Sequence, residues 1–149
     1  MAKLGHVHIK VRNLERAEKF YTGLLGFKVT EKVSDDYLFL KLGKAHHDLA
    51  LQNVGEEAEL PKQNQVGLYH FAIELKDKKE LAKMYKKLID SKIKISAVDH
   101  EISKSLYLKD PDGNGIEIYI DTRKQSKKKW AGRTTLLDTD KLLKLINRN

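Results

Sequence analysis

The sequence predicts an α+β fold made of two βαβββ modules. The chain is internally duplicated: when His6 is set on His70, the stretch HVHIKVRNLERAEKFYTGLLGF lies over HFAIELKDKKELAKMYKKLIDS. Both stretches begin with the period-two pattern of a strand and continue with the pattern of an amphipathic helix. A single βαβββ module cannot cover both faces of its own sheet. We therefore predict one curved mixed sheet built from both modules, with the helices outside and a concavity within.

Each module contains one helix followed by three strands. The helices are indicated by apolar residues at i, i+3, i+4 and i+7, which form one helical face. These residues are Ala17, Phe20, Tyr21 and Leu24 in the first module, and Leu81, Met84, Tyr85 and Leu88 in the second. The later strands are predicted at 26–33, 36–42 and 47–54, and at 93–98, 103–109 and 115–120.

The two modules are predicted to form a single domain, 1–120. Module 1–55 and module 66–120 are joined by a linker, 56–65, that is rich in charge and contains Pro61. A basic tail, 121–149, follows. It carries an apolar stripe that predicts a short helix at Asp138–Ile146, which Asp138 or Thr139 would cap.

Composition excludes several classes of function. The chain of 149 residues has no cysteine, so disulfides, zinc–thiolate sites and thiol catalysis are excluded. The net charge of +8 comes largely from the tail, and no RNA-binding strand or recognition-helix pattern accompanies it, so we expect no nucleic-acid partner. The apolar runs are too short to span a bilayer and the start lacks an apolar signal segment. We expect a cytoplasmic protein without a membrane partner.

A carboxylate and several histidines stand out among the predicted strands. Glu117 lies among isoleucines in the last strand, where a carboxylate has a large desolvation cost unless it is paired or metal-bound. His6 and His8 share one face of the first strand, and His70 opens the equivalent strand of the second module. Two imidazoles and one carboxylate suit Fe(II), and Mn(II) accepts the same set. Taken singly, such residues more often face water or pair with a neighbour.

Two segments carry a family resemblance. LGHVHIKVRNLERAEKFYTGLLGFKV and SLYLKDPDGNGIEIY resemble the first strand–helix and the final hairpin of the vicinal oxygen chelate superfamily, which includes glyoxalases, bleomycin resistance proteins and extradiol dioxygenases. The chain is most similar to the metal-binding domain of catechol 2,3-dioxygenase-type enzymes. This resemblance implies His6, His70 and Glu117 as ligands of Fe(II), a catecholic small-molecule substrate, and dioxygen as the second substrate.

The same resemblance implies three catalytic residues. His47, in KAHHDLAL, matches a histidine beside the dioxygen site. Tyr107 matches a tyrosine ten residues before the glutamate ligand, which hydrogen-bonds near the substrate hydroxyl. His100 lies close to a further family histidine that assists proton transfer, although the local spacing differs. We therefore predict an enzyme similar to the extradiol ring-cleaving dioxygenases.

Other members of the superfamily leave alternatives open. Well-known extradiol enzymes have two vicinal oxygen chelate domains in one chain. We therefore expect a homodimer here, in which a second copy of the chain takes the place of the second domain. Isomerases and lyases of the glyoxalase or methylmalonyl-CoA epimerase type need a fourth protein ligand, for which Gln52 is the candidate. Fosfomycin-type thiol transferases retain a similar set of three ligands. A binding protein without catalysis is the remaining alternative.

Overall fold

A computed structural model describes residues 1–126 and 129–146 of the chain. They divide into two compact units. The first unit contains Met1–Gly67 and Asp110–Asn114, and the second contains Leu68–Lys109 and the described residues from Gly115 onward. Each unit holds one mixed sheet and its helix, so the predicted α+β class is confirmed.

The first unit contains the elements predicted for module one. They are β1 (Val7–Val11), α1 (Leu14–Glu18), a π-helical continuation (Lys19–Leu24), β2 (Lys28–Val33), β3 (Tyr37–Lys41) and β4 (Leu49–Asn53). The strand order in the sheet is β1-β4-β3-β2, with β1 parallel to β4 and the other pairs antiparallel. Asn13 caps α1, its side chain accepting a hydrogen bond from the Arg16 backbone N–H.

The second unit repeats this topology. Its elements are β5 (Phe71–Glu74), α2 (Lys78–Asp90), β6 (Ser96–Asp99), β7 (Ser103–Lys109), β8 (Gly115–Asp121), α3 (Arg123–Ser126), β9 (Thr135–Leu136) and α4 (Thr139–Leu143). The strand order is β5-β8-β7-β6-β9, and β5 runs parallel to β8 as β1 does to β4. The predicted duplication is confirmed. By hydrogen bonding the strands form two sheets, one per module, where the sequence predicted one.

In each unit the core lies between one face of the sheet and the helix. In the first unit the buried apolar residues include Ile9, Val11, Ala17, Tyr21, Leu38, Leu40, Leu49 and Leu51. In the second they include Leu81, Leu88, Leu106, Leu108, Ile116, Ile118, Ile120 and Leu142. Because strand residues alternate between faces, the polar side chains between these positions lie on the opposite, open face of their sheet. The candidate site residues lie on these open faces.

Three predicted strands begin two or three residues too early: β2 begins at Lys28 instead of 26, and the errors in β4 and β6 have local reasons. β4 begins at Leu49 instead of 47, because the Asp48 carboxylate accepts hydrogen bonds from the N–H groups of Leu42 and Gly43 and closes a loop before the strand. β6 begins at Ser96 instead of 93. Lys92 adopts the left-handed region (φ 58°) and Ile93 N–H bonds back to Leu88 O, so this segment caps α2.

The tail differs most from the prediction. Its helix covers Thr139–Leu143, shorter than the predicted Asp138–Ile146, and Asp138 is the cap, as expected. A two-residue strand, β9, was not predicted. Lys127 and Lys128 of the predicted basic tail lie outside the described residues. None of the helices in the described part of the chain has the length and apolar character needed to cross a membrane.

Candidate metal centre and active site

Strand register explains the position of Glu117. Its neighbours Ile116 and Ile118 point into the core of the second unit, so Glu117 points to the open face. On that face it is paired with Ala72 of β5 and with Tyr107 of β7. Because alternate residues of a strand share a face, the side chain two positions before Ala72 lies on the face of Glu117 as well.

That side chain is His70, and it contacts the carboxylate. His70 Nε2 lies 3.0 Å from Glu117 Oε2, and the Glu117 side chain is 14% exposed. Two ligands bound about 2.1 Å from one ion at right angles would be about 3.0 Å apart. The imidazole and the carboxylate therefore fit adjacent positions on a divalent metal. Nδ1 of His70 is buried and has no hydrogen-bond partner within the described residues.

Tyr107 connects this pair to His100. The Tyr107 hydroxyl donates a hydrogen bond to Glu117 Oε1 at 2.9 Å, and it lies 2.9 Å from His100 Nε2. Burial, together with the hydrogen bond to Glu117, raises the pKa of Tyr107 to about 12. The phenol is therefore protonated at neutral pH. The open face of the second unit thus holds four of the predicted site residues in one hydrogen-bonded series.

His6 and His47 lie together in the first unit. Their ring centroids are 4.4 Å apart, and the ring centroid of Phe39 lies 5.0 Å from that of His47. His47 is half-buried, whereas His46 is exposed and its Nε2 lies 3.5 Å from a carboxylate oxygen of Glu31. Burial lowers the pKa of His47, and the neighbouring imidazoles of His6 and His46 lower it further.

The predicted fourth-ligand candidate occupies a different position from Glu117. His8 of β1 pairs with Ala50 of β4, just as Ala72 of β5 pairs with Glu117 of β8. Ala50 is thus the first-module equivalent of Glu117, and its side chain has no atom that could coordinate a metal ion. Gln52 lies two residues further along β4, with Nε2 3.5 Å from the Tyr37 hydroxyl.

The three predicted metal ligands belong to two units. His6 is in the first unit, whereas His70 and Glu117 are in the second. Neither unit by itself contains, among the residues described, a group of three His, Asp or Glu side chains arranged to hold a metal ion. The complete ligand set therefore stays a prediction.

Sequence reasoning missed two groups of residues. The first group is in the turn DPDGN between β7 and β8, where Asp110 and Asp112 are buried. Asp110 accepts a hydrogen bond from the Tyr21 hydroxyl at 2.9 Å, and Asp112 pairs with Arg16 at 2.7 Å. Two acidic residues in one short turn were the available signal. The second group is in the tail, where Thr134 contacts His100, and no pattern in the sequence indicated it.

Residues 3–118 match the model of the glyoxalase/bleomycin resistance protein/dioxygenase superfamily. The chain belongs to this superfamily. The match covers both modules, from the first strand to the middle of β8, and ends before the tail.

Two curated relatives share substantial identity with the chain. The catechol-2,3-dioxygenase of Bacillus subtilis (strain 168) is 37% identical over 145 residues, which cover 94% of this chain and 50% of that enzyme. The chain thus spans half the length of this relative. The metallothiol transferase FosB of Lysinibacillus sphaericus (strain C3-41) is 32% identical over 123 residues, 80% of this chain and 82% of that protein.

Solved structures share the fold. The glyoxylase/bleomycin resistance protein/dioxygenase domain from Frankia sp. EAN1pec superposes with a TM-score of 0.71 at 17% identity, covering 81% of this chain and 98% of that one. Such a low identity supports the architecture alone.

Proposed function

We propose that this chain is a metal-dependent dioxygenase of the extradiol type, which cleaves the ring of a catecholic small molecule with dioxygen. The proposed ligands of the metal are His6, His70 and Glu117, and the proposed ion is Fe(II), with Mn(II) as the alternative. The proposed catalytic residues are His47, Tyr107 and His100. A bound ion would supply Lewis acidity that lowers the pKa of a diol hydroxyl, and redox chemistry toward dioxygen.

Support for these ligands comes chiefly from the second unit. His70 Nε2 and Glu117 Oε2 are 3.0 Å apart on the open face, while the other carboxylate oxygen is engaged by Tyr107. An ion coordinated by Glu117 Oε2 and His70 Nε2 would take the place of their direct contact. Identity of 37% to a catechol-2,3-dioxygenase supports the same reaction class.

The remaining roles follow from the chemistry of each side chain. Tyr107 is protonated at neutral pH, so its hydroxyl can donate a hydrogen bond and orient a substrate oxygen near Glu117. His100, hydrogen-bonded to Tyr107, can exchange a proton with it. His47 has a lowered pKa, so its imidazole is neutral at pH 7 and can accept a proton.

A second copy of the chain is proposed to complete the protein. The chain spans 50% of the length of the Bacillus subtilis enzyme. A homodimer would contain about as many residues as that enzyme. Analytical ultracentrifugation tests this: a species of twice the 17.1 kDa chain mass is expected, and a monomer at micromolar concentration would contradict it.

One alternative reaction has an observation in its favour. The chain covers 82% of the metallothiol transferase FosB, a better match in length than to the dioxygenase. Incubation with Mn(II), cysteine and fosfomycin, followed by mass spectrometry, would reveal a thiol adduct. An isomerase with four protein ligands is disfavoured, because Ala50 stands at the first-module equivalent of Glu117.

The direct test of ring cleavage is a turnover assay. The chain is loaded with Fe(II) without air, and catechol and air are then added. We expect a yellow ring-fission product and uptake of one dioxygen for each diol consumed. Absence of both with several diols, together with formation of the thiol adduct, would replace the dioxygenase by the transferase.

A matched pair of variants controls this assay. Glu117→Gln removes the proposed ligand charge, whereas Glu74→Gln changes an exposed carboxylate on the same face of the neighbouring strand. Turnover should be lost only in Glu117→Gln. Equal activity of the two variants would contradict the assignment of Glu117.

A further inference from the structure

The tail of the chain runs beside the candidate site. β9 pairs with β6 in antiparallel register, with Thr135 opposite Asp99, and Leu137 N–H bonds to Ala97 O. This pairing puts Thr134 next to His100, and Thr134 Oγ1 lies 2.9 Å from His100 Nδ1. Thr134 lies beyond residue 118, where the match to the family model ends.

The directions of the hydrogen bonds from Thr134 to Glu117 follow from the one that the Tyr107 hydroxyl donates. The Tyr107 hydroxyl has a single proton, which it donates to Glu117 Oε1 at 2.9 Å. The Tyr107 oxygen must then accept from Nε2–H of His100, 2.9 Å away. A neutral imidazole carries one N–H, so Nδ1 is an acceptor. The hydroxyl of Thr134 is therefore the donor to Nδ1.

We propose that Thr134 is a positioning residue of the site, whose hydroxyl holds His100 in the Nε2–H tautomer and keeps that N–H directed at Tyr107. Without this donor the Nδ1–H tautomer becomes accessible. Nε2 would then present a lone pair to Tyr107 and compete with Glu117 for the phenol proton. The assignment of the tautomer rests on geometry alone, whereas its catalytic consequence rests on the proposed function.

The test uses the ring nitrogens of His100. The full chain is labelled with ¹⁵N-histidine, and His100 is assigned from the signals lost in His100→Gln. At about pH 8, above the usual pKa of histidine, the wild type should show a bare Nδ1 and a protonated Nε2. In Thr134→Val the tautomer ratio should shift toward Nδ1–H by about twofold to twelvefold, the range for loss of one hydrogen bond. Thr134→Ser should restore the wild-type signals.

A control variant and turnover separate the possible results. Thr135→Val alters an exposed neighbour in β9 and should leave the ring signals unchanged. Wild-type ring signals in Thr134→Val, or an Nδ1–H tautomer in the wild type, would overturn the proposal. If the Fe(II)-loaded chain cleaves catechol, Thr134→Val should lower kcat with little change in KM, and Thr134→Ser should recover it. If ring cleavage is absent but the tautomer shifts, the positioning role stands and the reaction assignment fails.

Discussion

The buried turn between β7 and β8 allows a quantitative prediction. Asp110 closes this turn and so fixes the register that sets Tyr107 opposite Glu117. Its carboxylate accepts hydrogen bonds from the N–H groups of Asp112 and Asn114, from the Asn114 side chain and from the Tyr21 hydroxyl, all at 2.8 to 2.9 Å. Asp110→Ala removes all four and leaves the buried Tyr21 hydroxyl without an acceptor.

The cost of Asp110→Ala can be bounded. Each hydrogen bond to a charged group contributes about 1.5–3 kcal/mol, and an orphaned buried donor costs about 1–3 kcal/mol. Burial raises the pKa of Asp110, which shows that desolvation of the carboxylate offsets part of this gain. We expect Asp110→Ala to lower the free energy of unfolding by about 3–5 kcal/mol.

A double-mutant cycle measured by urea unfolding makes the test specific. In the wild type, Tyr21→Phe should cost about 1.5–3 kcal/mol because it removes a hydrogen bond to a carboxylate. In the Asp110→Ala background the same change should stabilise the chain, since it removes the orphaned hydroxyl. A loss below about 1 kcal/mol for Asp110→Ala, or a destabilising Tyr21→Phe in both backgrounds, would refute the reasoning.

The remaining predictions concern pH, capping and catalysis. Because the folded-state pKa of Tyr107 is raised to about 12, its contribution to the free energy of unfolding is complete below about pH 10 and is lost as the pH rises toward 12. The free energy of unfolding of Tyr107→Phe should therefore fall less steeply with pH than that of the wild type over this range. Equal slopes for the two proteins would contradict this. Asp77 caps α2 by accepting hydrogen bonds from the N–H groups of Lys79 and Glu80. In urea unfolding, Asp77→Ala should therefore lower the free energy of unfolding by about 1 kcal/mol, while Asp77→Ser keeps most of the stability. An equal loss of stability in both variants would exclude the capping role. His47→Gln should bind Fe(II) as the wild type does but lose turnover, as measured by metal analysis and oxygen uptake; retained turnover would remove His47 from the catalytic set.

Much of the architecture could be predicted because the duplication is visible in the sequence. The alternation around Glu117 predicted its separation from the core, and β8 is found within one residue of its predicted bounds. The equivalence of His6 and His70 predicted that the second module repeats the first, and in both modules the first strand pairs in parallel with the last. Local periodicity carries this information, so it can be read from one chain.

The rest depends on contacts between distant positions. β9 has only two residues, too few for a periodic pattern, and its pairing with β6 brings Thr134 to a residue 34 positions away. The strand prediction at His47 failed because the Asp48 side chain bonds to the backbone of a preceding loop. Likewise, nothing in the spacing of DPDGN indicates that Tyr21 donates to Asp110. Side-chain hydrogen bonds of this kind follow no period.

The central claim is that His6, His70 and Glu117 bind one divalent ion, and anaerobic Fe(II) titration with X-ray absorption tests it most directly. We expect one ion per chain, coordinated by two imidazoles and a carboxylate, and a loss of at least about 100-fold in affinity when any of the three is replaced by Ala. His8→Ala, on the face that His6 shares, should bind Fe(II) normally. Unchanged affinity in His6→Ala, or coordination by a single imidazole, would contradict the account.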